Sequence, residues 1–470
     1  MAYTAEMIKV NGIPIENLEE LKIDVSPGEH GSLLLQGYLA ETDGEEALYG
    51  FSENDSVSVY LSEKELVFSG ILTRVRVESE GNTVKIFAEA KSRSIRMDQK
   101  KRSRSFQDVN MTYGQLIQMI VSEYPGSDIK LSITDRPLGE IAVQYKETDW
   151  EFLKRMLSIL NAVFVCNPAA DTIKLYGGVP DIPWGKWNYE KTGVKKEMGE
   201  YSYWCMQGKK VHDNDFLILD IETNHVPEYF EQLENEGRKF VIRRMSYELI
   251  RGLIHCRIEL QKKEGILAKA RYPMHLIGTA IQGTVLNIAG TKIKIHLDID
   301  GESKTANDVY WFSFSTLSAS PDGSGWYYMP EPGDQVRIYF PSKYTKDVIA
   351  VSAVSSYDGK SGGVPDRMGS PSTKYLSNPY GQEMKLSEDG IFLTCSGGAA
   401  SVKIGKGGDV TLCAKDTINI EAENNLEISA EESVTLNALE TAVISCVKGG
   451  TIQMPVDGKL LIQGTEVKVN

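Results

Sequence analysis

Residues 409–448 decide the fold of the C-terminal region, and in groups of eight they read DVTLCAKD, TINIEAEN, NLEISAEE, SVTLNALE and TAVISCVK. The second, fourth and sixth positions of each group are apolar or small. This period of two is typical of strands with one buried and one solvated face. Most groups end in polar residues that favour turns, such as Lys415-Asp416 and Glu423-Asn424. The region is therefore an eight-residue repeat, which is unusually short.

A single copy of this repeat does not easily fold, because three modest apolar side chains per group stabilise less than the ordering of eight residues costs. Eight residues are also too few for a complete coil of a one-chain β-helix. The simplest solution is three identical chains wound into a β-prism, a stiff needle with its apolar positions on the axis. A β-meander formed by one chain is the alternative. The predicted trimer core consists of the larger apolar residues of the repeat: Val410, Leu412, Ile418, Ile420, Leu426, Ile428, Val434, Leu436 and Ile444.

The composition predicts a multidomain protein that is made in the cytoplasm. A chain of 470 residues accommodates three or four domains, and the net charge of −14 argues against nucleic acid as the principal partner. No signal-peptide pattern is evident, nor any apolar run of the roughly 18–20 residues that span a bilayer. The six cysteines include no CxxC pair, so neither a disulfide framework nor a zinc module is predicted.

The N-terminal 105 residues predict an antiparallel β-domain. The strands are expected at Glu6–Val10, Leu18–Val25, Ser32–Ala40, Ser56–Leu61, Glu65–Val77 and Thr83–Ala90. A basic stretch closes this region and contains Lys91, Arg93, Arg96, Lys100, Lys101, Arg102 and Arg104. It is either a solvated loop or a contact surface for an acidic partner or a second copy of the chain.

Residues 106–270 predict a mixed α and β region. One helix is expected at Thr112–Tyr124, and a second follows a capping box of Thr148 and Glu151 and runs to Leu160. The remaining predicted elements are the strands Ala162–Cys166, Lys209–Leu219 and Val241–Ile250 and a helix at Pro227–Glu236.

Residues 278–355 predict a small closed barrel of the OB type, because five short alternating strands occur in under eighty residues. These strands are Gly278–Leu286, Lys292–Ile299, Val309–Ser315, Gln335–Phe340 and Ile349–Val354. An OB barrel alone suggests oligonucleotide binding, but the acidic charge and the lack of a basic-aromatic face weigh against it. The Gly-, Ser- and Pro-rich residues 356–382 read as a linker. A strand pair, Glu383–Leu386 and Gly390–Cys395, then begins the needle, and SVKIGKGG (401–408) fits the octad register.

Two motifs resemble the VgrG proteins and phage late-control proteins, which are hub-and-spike proteins of contractile injection systems. The run VQYKETDWEFLKRMLSILNAVFVC (143–166) is similar to their hub segment, and the Trp-Tyr-Tyr-Met-Pro run with its Gly-Asp pair is similar to the VgrG OB domain. The matching hub positions are Glu147, Thr148, Asp149, Trp150, Phe152, Leu153 and Arg155. The matching barrel positions are Gly325, Trp326, Met329, Pro330, Gly333, Asp334, Val336 and Ile338. Pro332 departs from the usual Val.

The resemblance covers essentially the whole chain and implies a mainly β fold with an α+β hub. It implies a hub β-barrel-like domain at 1–105, a hub region with a second barrel-like part at 106–270, an OB-fold domain at 271–355, a linker at 356–382 and an intertwined trimeric β-helix at 383–470. The function implied is that of a non-enzymatic homotrimeric spike of a type VI secretion system, a phage tail or a phage-derived particle. Such a spike adapts the tail tube to the tip and is driven through the target envelope.

The resemblance also implies the partners and the location. Partners would be an Hcp-like tail-tube protein, baseplate proteins, effector cargo and a PAAR-repeat tip protein. Because no histidine follows His296 to form a metal-binding tip, the PAAR protein would contact Val467, Val469 and Asn470. Assembly would occur in the bacterial cytoplasm, before delivery outside the cell or into a target cell envelope.

No catalytic, cofactor-binding or metal-binding residue is predicted. The chain lacks the His-Glu-x-x-His and Walker A patterns. The rival hypothesis is a trimeric β-helical tailspike enzyme that degrades surface polysaccharide. Such an enzyme needs a groove of aromatic and acidic side chains, and residues 409–448 contain no Trp, Tyr or Phe. A passive receptor-binding fibre is the third possibility.

Overall fold

The computed structural model describes residues 3–39, 50–62, 64–80, 83–182, 185, 188–235, 237–301, 309–320, 327–352 and 370–468. Strands outnumber helices throughout, so the prediction of a mainly β chain is confirmed. The chain divides into a first unit, Met1–Ser356, and a second unit, Tyr357–Asn470. No helix in the described ranges is long and apolar enough to cross a membrane.

A sheet of eleven strands among the described residues dominates the first unit. Its N-terminal strands are β1 (Ile8–Asn11), β2 (Ile15–Val25), β3 (Ser32–Leu39), β4 (Ser56–Leu61), β5 (Glu65–Glu80) and β6 (Thr83–Ser92). All six predicted strands of this region are present: Ser56–Leu61 has the predicted bounds, and the other five have shifted ends. They form because apolar and polar residues alternate: along β6, Val84, Ile86, Ala88 and Ala90 are buried while the residues between them are not.

The same sheet continues into a second set of strands. These are β12 (Glu190–Lys196), β13 (Leu217–Thr223), β14 (Gln232–Asn235), β15 (Arg238–Ile250) and β16 (Leu253–Gln261). The strand order is β1-β4-β5-β6-β3-β2-β15-β16-β13-β12, with β14 beside β15. Antiparallel pairing of β2 with β15 joins the two sets, with Ile23 opposite Tyr247 and Val25 opposite Met245. One hydrophobic core therefore extends under both sets of strands.

Three helices stand among the described residues of the first unit: α1 (Tyr113–Ser122), α2 (Asp149–Ile159) and α3 (Met198–Met206). Around α1 and α2 lie the strands β7 (Arg102–Phe106), β8 (Asp128–Leu131), β9 (Ala142–Glu147), β10 (Phe164–Asn167) and β11 (Lys174–Gly177). The predicted capping box of α2 is confirmed, since Thr148 Oγ1 accepts from Glu151 N and Glu151 Oε2 accepts from Thr148 N. The apolar faces of α1 and α2 share a second core.

Two predicted elements in this part of the chain are wrong. Residues 209–216 are not a strand: β13 begins only at Leu217, and α3, which the sequence analysis missed, precedes it. The predicted helix at Pro227–Glu236 does not form either. Tyr229 and Phe230 are both buried, and Phe230 has a φ of 66°. Two adjacent buried aromatic residues bend the chain into a turn that no helical periodicity could reveal.

The predicted small barrel is present as five closed strands. These are β17 (Ala280–Ala289), β18 (Lys292–Leu297), β19 (Trp311–Phe314), β20 (Gln335–Tyr339) and β21 (Ile349–Ser352). They close in the order β17-β18-β19-β21-β20, with β19 and β21 parallel and the other pairs antiparallel. Phe312, Ile295 and Ile338 fill its centre.

The described residues of the second unit form two antiparallel meanders. The first comprises β22 (Lys374–Ser377), β23 (Glu383–Ser387), β24 (Gly390–Cys395), β25 (Ala400–Gly405) and β26 (Val410–Ala414), and includes the predicted pair at 383–395. The second comprises β27 (Ala442–Ser445), β28 (Thr451–Met454) and β29 (Leu461–Gln463).

Strand pairing within one chain reaches both ends of the octads. The segment 401–408, predicted to fit the octad register, contains most of β25, which pairs antiparallel with β26 so that Ser401 lies opposite Cys413. Cys446 is the sixth residue of the fifth octad. It lies in the β27–β28 turn, where its amide donates to the Gly450 carbonyl, because the Gly449-Gly450 pair supplies the positive φ angles that reverse the chain.

Candidate assembly surfaces

The octads between the two meanders have a regular backbone without partners. Bends occur at 415–416, 423–424, 431–432 and 439–440, at the last two positions of four successive octads. Residues 416–441 are all described, and no backbone hydrogen bond forms within that stretch of the single chain. The eight-residue period is therefore present in the structure, but the described residues of the same chain do not contribute the strands that would satisfy its amides and carbonyls.

The nine predicted core residues are all exposed in one chain. Their relative exposures lie between 50% for Ile418 and 68% for Leu436. Stretches of exposed apolar residues on this scale are characteristic of interaction surfaces. The predicted tip residue Val467 is also exposed, whereas Val469 and Asn470 lie outside the described residues.

The barrel motif forms a tight corner between β17 and β20. Gly333 adopts a φ of 97°, which favours glycine, and its amide donates to the Val285 carbonyl over 2.8 Å. The Val285 amide donates in return to the carbonyl of Asp334, and the Asp334 carboxylate accepts from the Glu331 amide. Pro330 is buried beside this corner. Trp326 lies outside the described residues.

The hub motif places one carboxylate at the centre of a polar network. Asp149 is 1% exposed. Its Oδ1 accepts from Arg104 Nη2 at 2.8 Å and from Gln144 Nε2 at 2.9 Å, and its Oδ2 accepts from the Tyr124 hydroxyl at 2.6 Å. Arg102 Nε lies 3.2 Å from the same Oδ2. These contacts tie β7, α1, α2 and β9 together, so Asp149 has a structural role.

The basic stretch is therefore not a single surface. Arg102 and Arg104 lie on β7, and both guanidinium groups also donate to Glu123. For these two residues the prediction of a solvated loop is wrong, because they lie in a strand and pair with carboxylates. Lys100 and Lys101, in contrast, are exposed.

A second pair in the hub motif is also internal. Arg155 and Glu147 are 4% and 8% exposed, and the guanidinium donates to both carboxylate oxygens over 2.9 and 2.6 Å. Arg155 Nη2 additionally donates to the Val143 carbonyl. The motif thus fixes how α2 packs on β9, which explains the need for these residue types at this spacing.

A serine, a histidine and an aspartate meet in the hub, which the sequence analysis missed. His30 Nδ1 is 2.7 Å from Ser94 Oγ, and its Nε2 is 3.3 Å from Asp98 Oδ2. The ring also lies 4.0 Å from the Trp150 ring, centre to centre. Ser94 is only 1% exposed, so a substrate could not reach its hydroxyl as it would in a catalytic triad. The cluster anchors the β2–β3 loop on the turn Arg93–Asp98 and on α2.

This cluster predicts a pH dependence of hub stability. Burial lowers the pKa of His30 below its ordinary value, and the neighbouring Asp98 only partly opposes this. As the pH falls through the ordinary histidine range, the unfolded chain takes up the proton before the folded one, so stability is lost. The free energy of unfolding, measured with urea, should fall less between about pH 7.5 and about pH 5.5 for His30→Gln than for the unaltered chain. An equal loss in both would contradict the prediction.

Comparison with known proteins connects this geometry to a family. Residues 53–165 match the family model of the phage tail baseplate hub (GPD). The predicted resemblance to hub proteins of this family is confirmed. The matched range contains β4 to β9, α1 and α2, and so includes the Asp149 network and all but the last residue of the 143–166 run. No sequence among the curated proteins matches the chain.

Solved structures show the same fold over more of the chain. One is the Escherichia coli protein c3393, described as a type VI secretion component similar to the T4 tail proteins gp27 and gp5. It aligns with a TM-score of 0.53 at 13% sequence identity, and the alignment covers 73% of this chain and 98% of the c3393 chain. Two structures of a Francisella PdpA–VgrG complex have TM-scores of 0.50 at 10% identity. The alignment with the lidded form covers 84% of this chain and 76% of the matched chain. The alignment with the half-lidded form covers 87% of this chain and 87% of the matched chain. The likeness at these identities is one of fold.

Proposed function

We propose that this protein is the homotrimeric, non-enzymatic hub-and-spike of a contractile injection system: a type VI secretion system, a phage tail or a phage-derived particle. The observation that carries this proposal is residues 416–441, which bend every eight residues, expose their apolar side chains and form no backbone hydrogen bond with one another or with the other described residues of the chain. Two further copies would supply both the missing strands and the missing apolar contacts. The match of residues 53–165 to the family of tail baseplate hubs supports the proposal that this needle belongs to such a hub.

In this proposal the two strand sets of the large sheet form two similar parts per chain. Three chains then offer six similar surfaces to an Hcp-like tail tube with six-fold symmetry, and the closed five-stranded barrel, of OB type, lies between hub and needle in the sequence. The end of the needle around Val467, Val469 and Asn470 would receive a PAAR-type tip protein, and baseplate proteins would surround the hub. Effector cargo is a further proposed partner, because a solved relative in fold is a PdpA–VgrG complex.

The proposed mechanism is mechanical. Contraction of the sheath would push tube and spike through the target envelope after assembly in the cytoplasm. A closed prism resists this load because all its strands are paired and it has no free lateral edge. No observation among the comparisons favours the alternative of a tailspike that degrades polysaccharide.

The oligomeric state of the full chain tests the proposal. Native mass spectrometry at low micromolar concentration should give three times the mass of the 52.2 kDa chain, because the octads have no stable arrangement alone. Light scattering should agree. A monomer by both methods would overturn the proposed function.

A further inference from the structure

Residues 374–414 form a sheet within one chain, whereas the octads after them do not. Strands β22 to β26 pair antiparallel with their sequence neighbours. Residues 416–441, all of them described, make no such pair. The second unit therefore contains one segment that is preformed in a single chain and one that depends on other chains.

One face of this preformed sheet is apolar. The strand register aligns two rows of side chains across it. The first row is Leu376, Met384, Leu393, Val402 and Leu412, and the second is Leu386, Ile391, Ile404 and Val410. Seven of these nine residues are more than a third exposed. The opposite face carries the polar residues Lys385, Thr394, Ser401 and Lys403 together with Tyr375 and Phe392, all of them partly exposed.

The apolar face is continuous with the octad core. Val410 and Leu412 belong to the two rows, and they are also the second and fourth positions of the first octad. Whatever covers Val410 and Leu412 therefore also reaches the edge of this face. Apart from Lys374 at the end of the second row, the described residues of both rows are uncharged. A neutral apolar face matches another copy of itself better than it matches a charged partner.

The octads alone leave the alignment of three chains undetermined. If one chain slides by eight residues, Ile420 takes the place of Ile428, and Ile418 that of Leu426. The apolar core then forms again with the loss of one octad at each end. The two rows of the meander do not repeat with this period, so they can match their copies in a single alignment.

We propose that the apolar face of β22–β26 packs against the same face of two other copies and sets the alignment of the octads. This inference rests on the proposed trimer. The first meander would fix the alignment of the three chains, which the octads alone leave undetermined. We call this role the clamp.

Disulfide mapping in the full chain tests the clamp. The starting variant replaces the four cysteines that are not buried, Cys205, Cys395, Cys413 and Cys446, by Ser. Chains with Ile420→Cys and chains with Ile428→Cys are coexpressed, oxidised in air and analysed as non-reduced peptides by mass spectrometry. Bonds between equal positions indicate aligned chains, and mixed bonds indicate a slip of one octad.

Three further substitutions are compared in this background. Leu393→Glu places a charge in the middle of the apolar face, and Leu393→Thr is a milder change to a β-branched residue that suits a strand. Thr394→Glu adds the same charge to the next residue, which lies on the opposite face of the sheet. Both Leu393 variants should raise the ratio of mixed to equal-position bonds several-fold, and Thr394→Glu should leave it unchanged.

The outcomes separate the clamp from the trimer. If both Leu393 variants remain trimeric with only equal-position bonds, the clamp is wrong and the proposed function survives. If the coexpressed Ile420→Cys and Ile428→Cys chains without a further substitution are monomers and form no intermolecular bonds, the proposed function itself fails. If Leu393→Glu does not fold, Leu393→Thr decides. A face covered by some other protein would also give unchanged bonds in both variants, which overturns the inference.

Discussion

Replacing Ile428 by Asp is expected to dissociate the trimer, whereas the same charge at Ser429 is expected to leave it intact. Ile428 is the fourth residue of its octad and Ser429 the fifth, so strand alternation directs them to opposite faces. In the proposed prism, the three carboxylates introduced by Ile428→Asp would meet on a dry axis. Burying an unpaired charge costs several kcal/mol, and here the cost applies three times and adds like-charge repulsion.

The pair of variants is matched in charge, size and position along the needle. Native mass spectrometry of both full-length proteins should give mainly monomer for Ile428→Asp and trimer for Ser429→Asp. A third variant, Ile428→Asn, removes the charge at nearly constant shape and should dissociate less than Ile428→Asp. Trimers of equal abundance for Ile428→Asp and Ser429→Asp would show that the axis of the assembly does not lie on the predicted side of the octads.

The local features of the fold could be predicted from the sequence because their causes lie within a few residues. The helix α2 begins where Thr148 and Glu151 cap it, and β6 follows a strict alternation of apolar and polar residues. The octad period is visible in the sequence and recurs as bends in the structure. In each case the determining interactions span no more than eight residues of chain.

Features that depend on distant residues could not be predicted. His30 meets Ser94 across 64 positions, and neither residue carries a local signal for the other. The buried Tyr229-Phe230 turn replaced a plausible helix because the core under β15 takes up both rings. The apolar face of the first meander could not be predicted for the same reason. The sequence shows the alternation within each strand, but it does not show how neighbouring strands align.

Replacing Asp149 by Ala is expected to cost the hub about 3–5 kcal/mol of unfolding free energy, the range for breaking a buried charge pair. The carboxylate is 1% exposed and accepts from Arg104, Gln144 and Tyr124. Its removal leaves these donors without that acceptor in a site closed to water, and each unsatisfied group adds a penalty. It also removes a negative charge from the first turn of α2, where the helix dipole favours one.

The matched control is Glu123→Ala. This change removes a carboxylate that contacts Arg102 and Arg104, the two arginines beside Asp149, from the solvent side. The Glu123 side chain is 31% exposed, so water can replace its contacts and the expected loss is under about 1 kcal/mol. Urea unfolding followed by tryptophan fluorescence would measure both, because buried Trp150 adjoins Asp149 and becomes exposed when α2 unfolds. Equal losses for the two variants would mean that the arginines are held by charge alone. The predicted inequality instead identifies the buried hydrogen bonds of Asp149 as the interaction that holds β7, α1, α2 and β9 together.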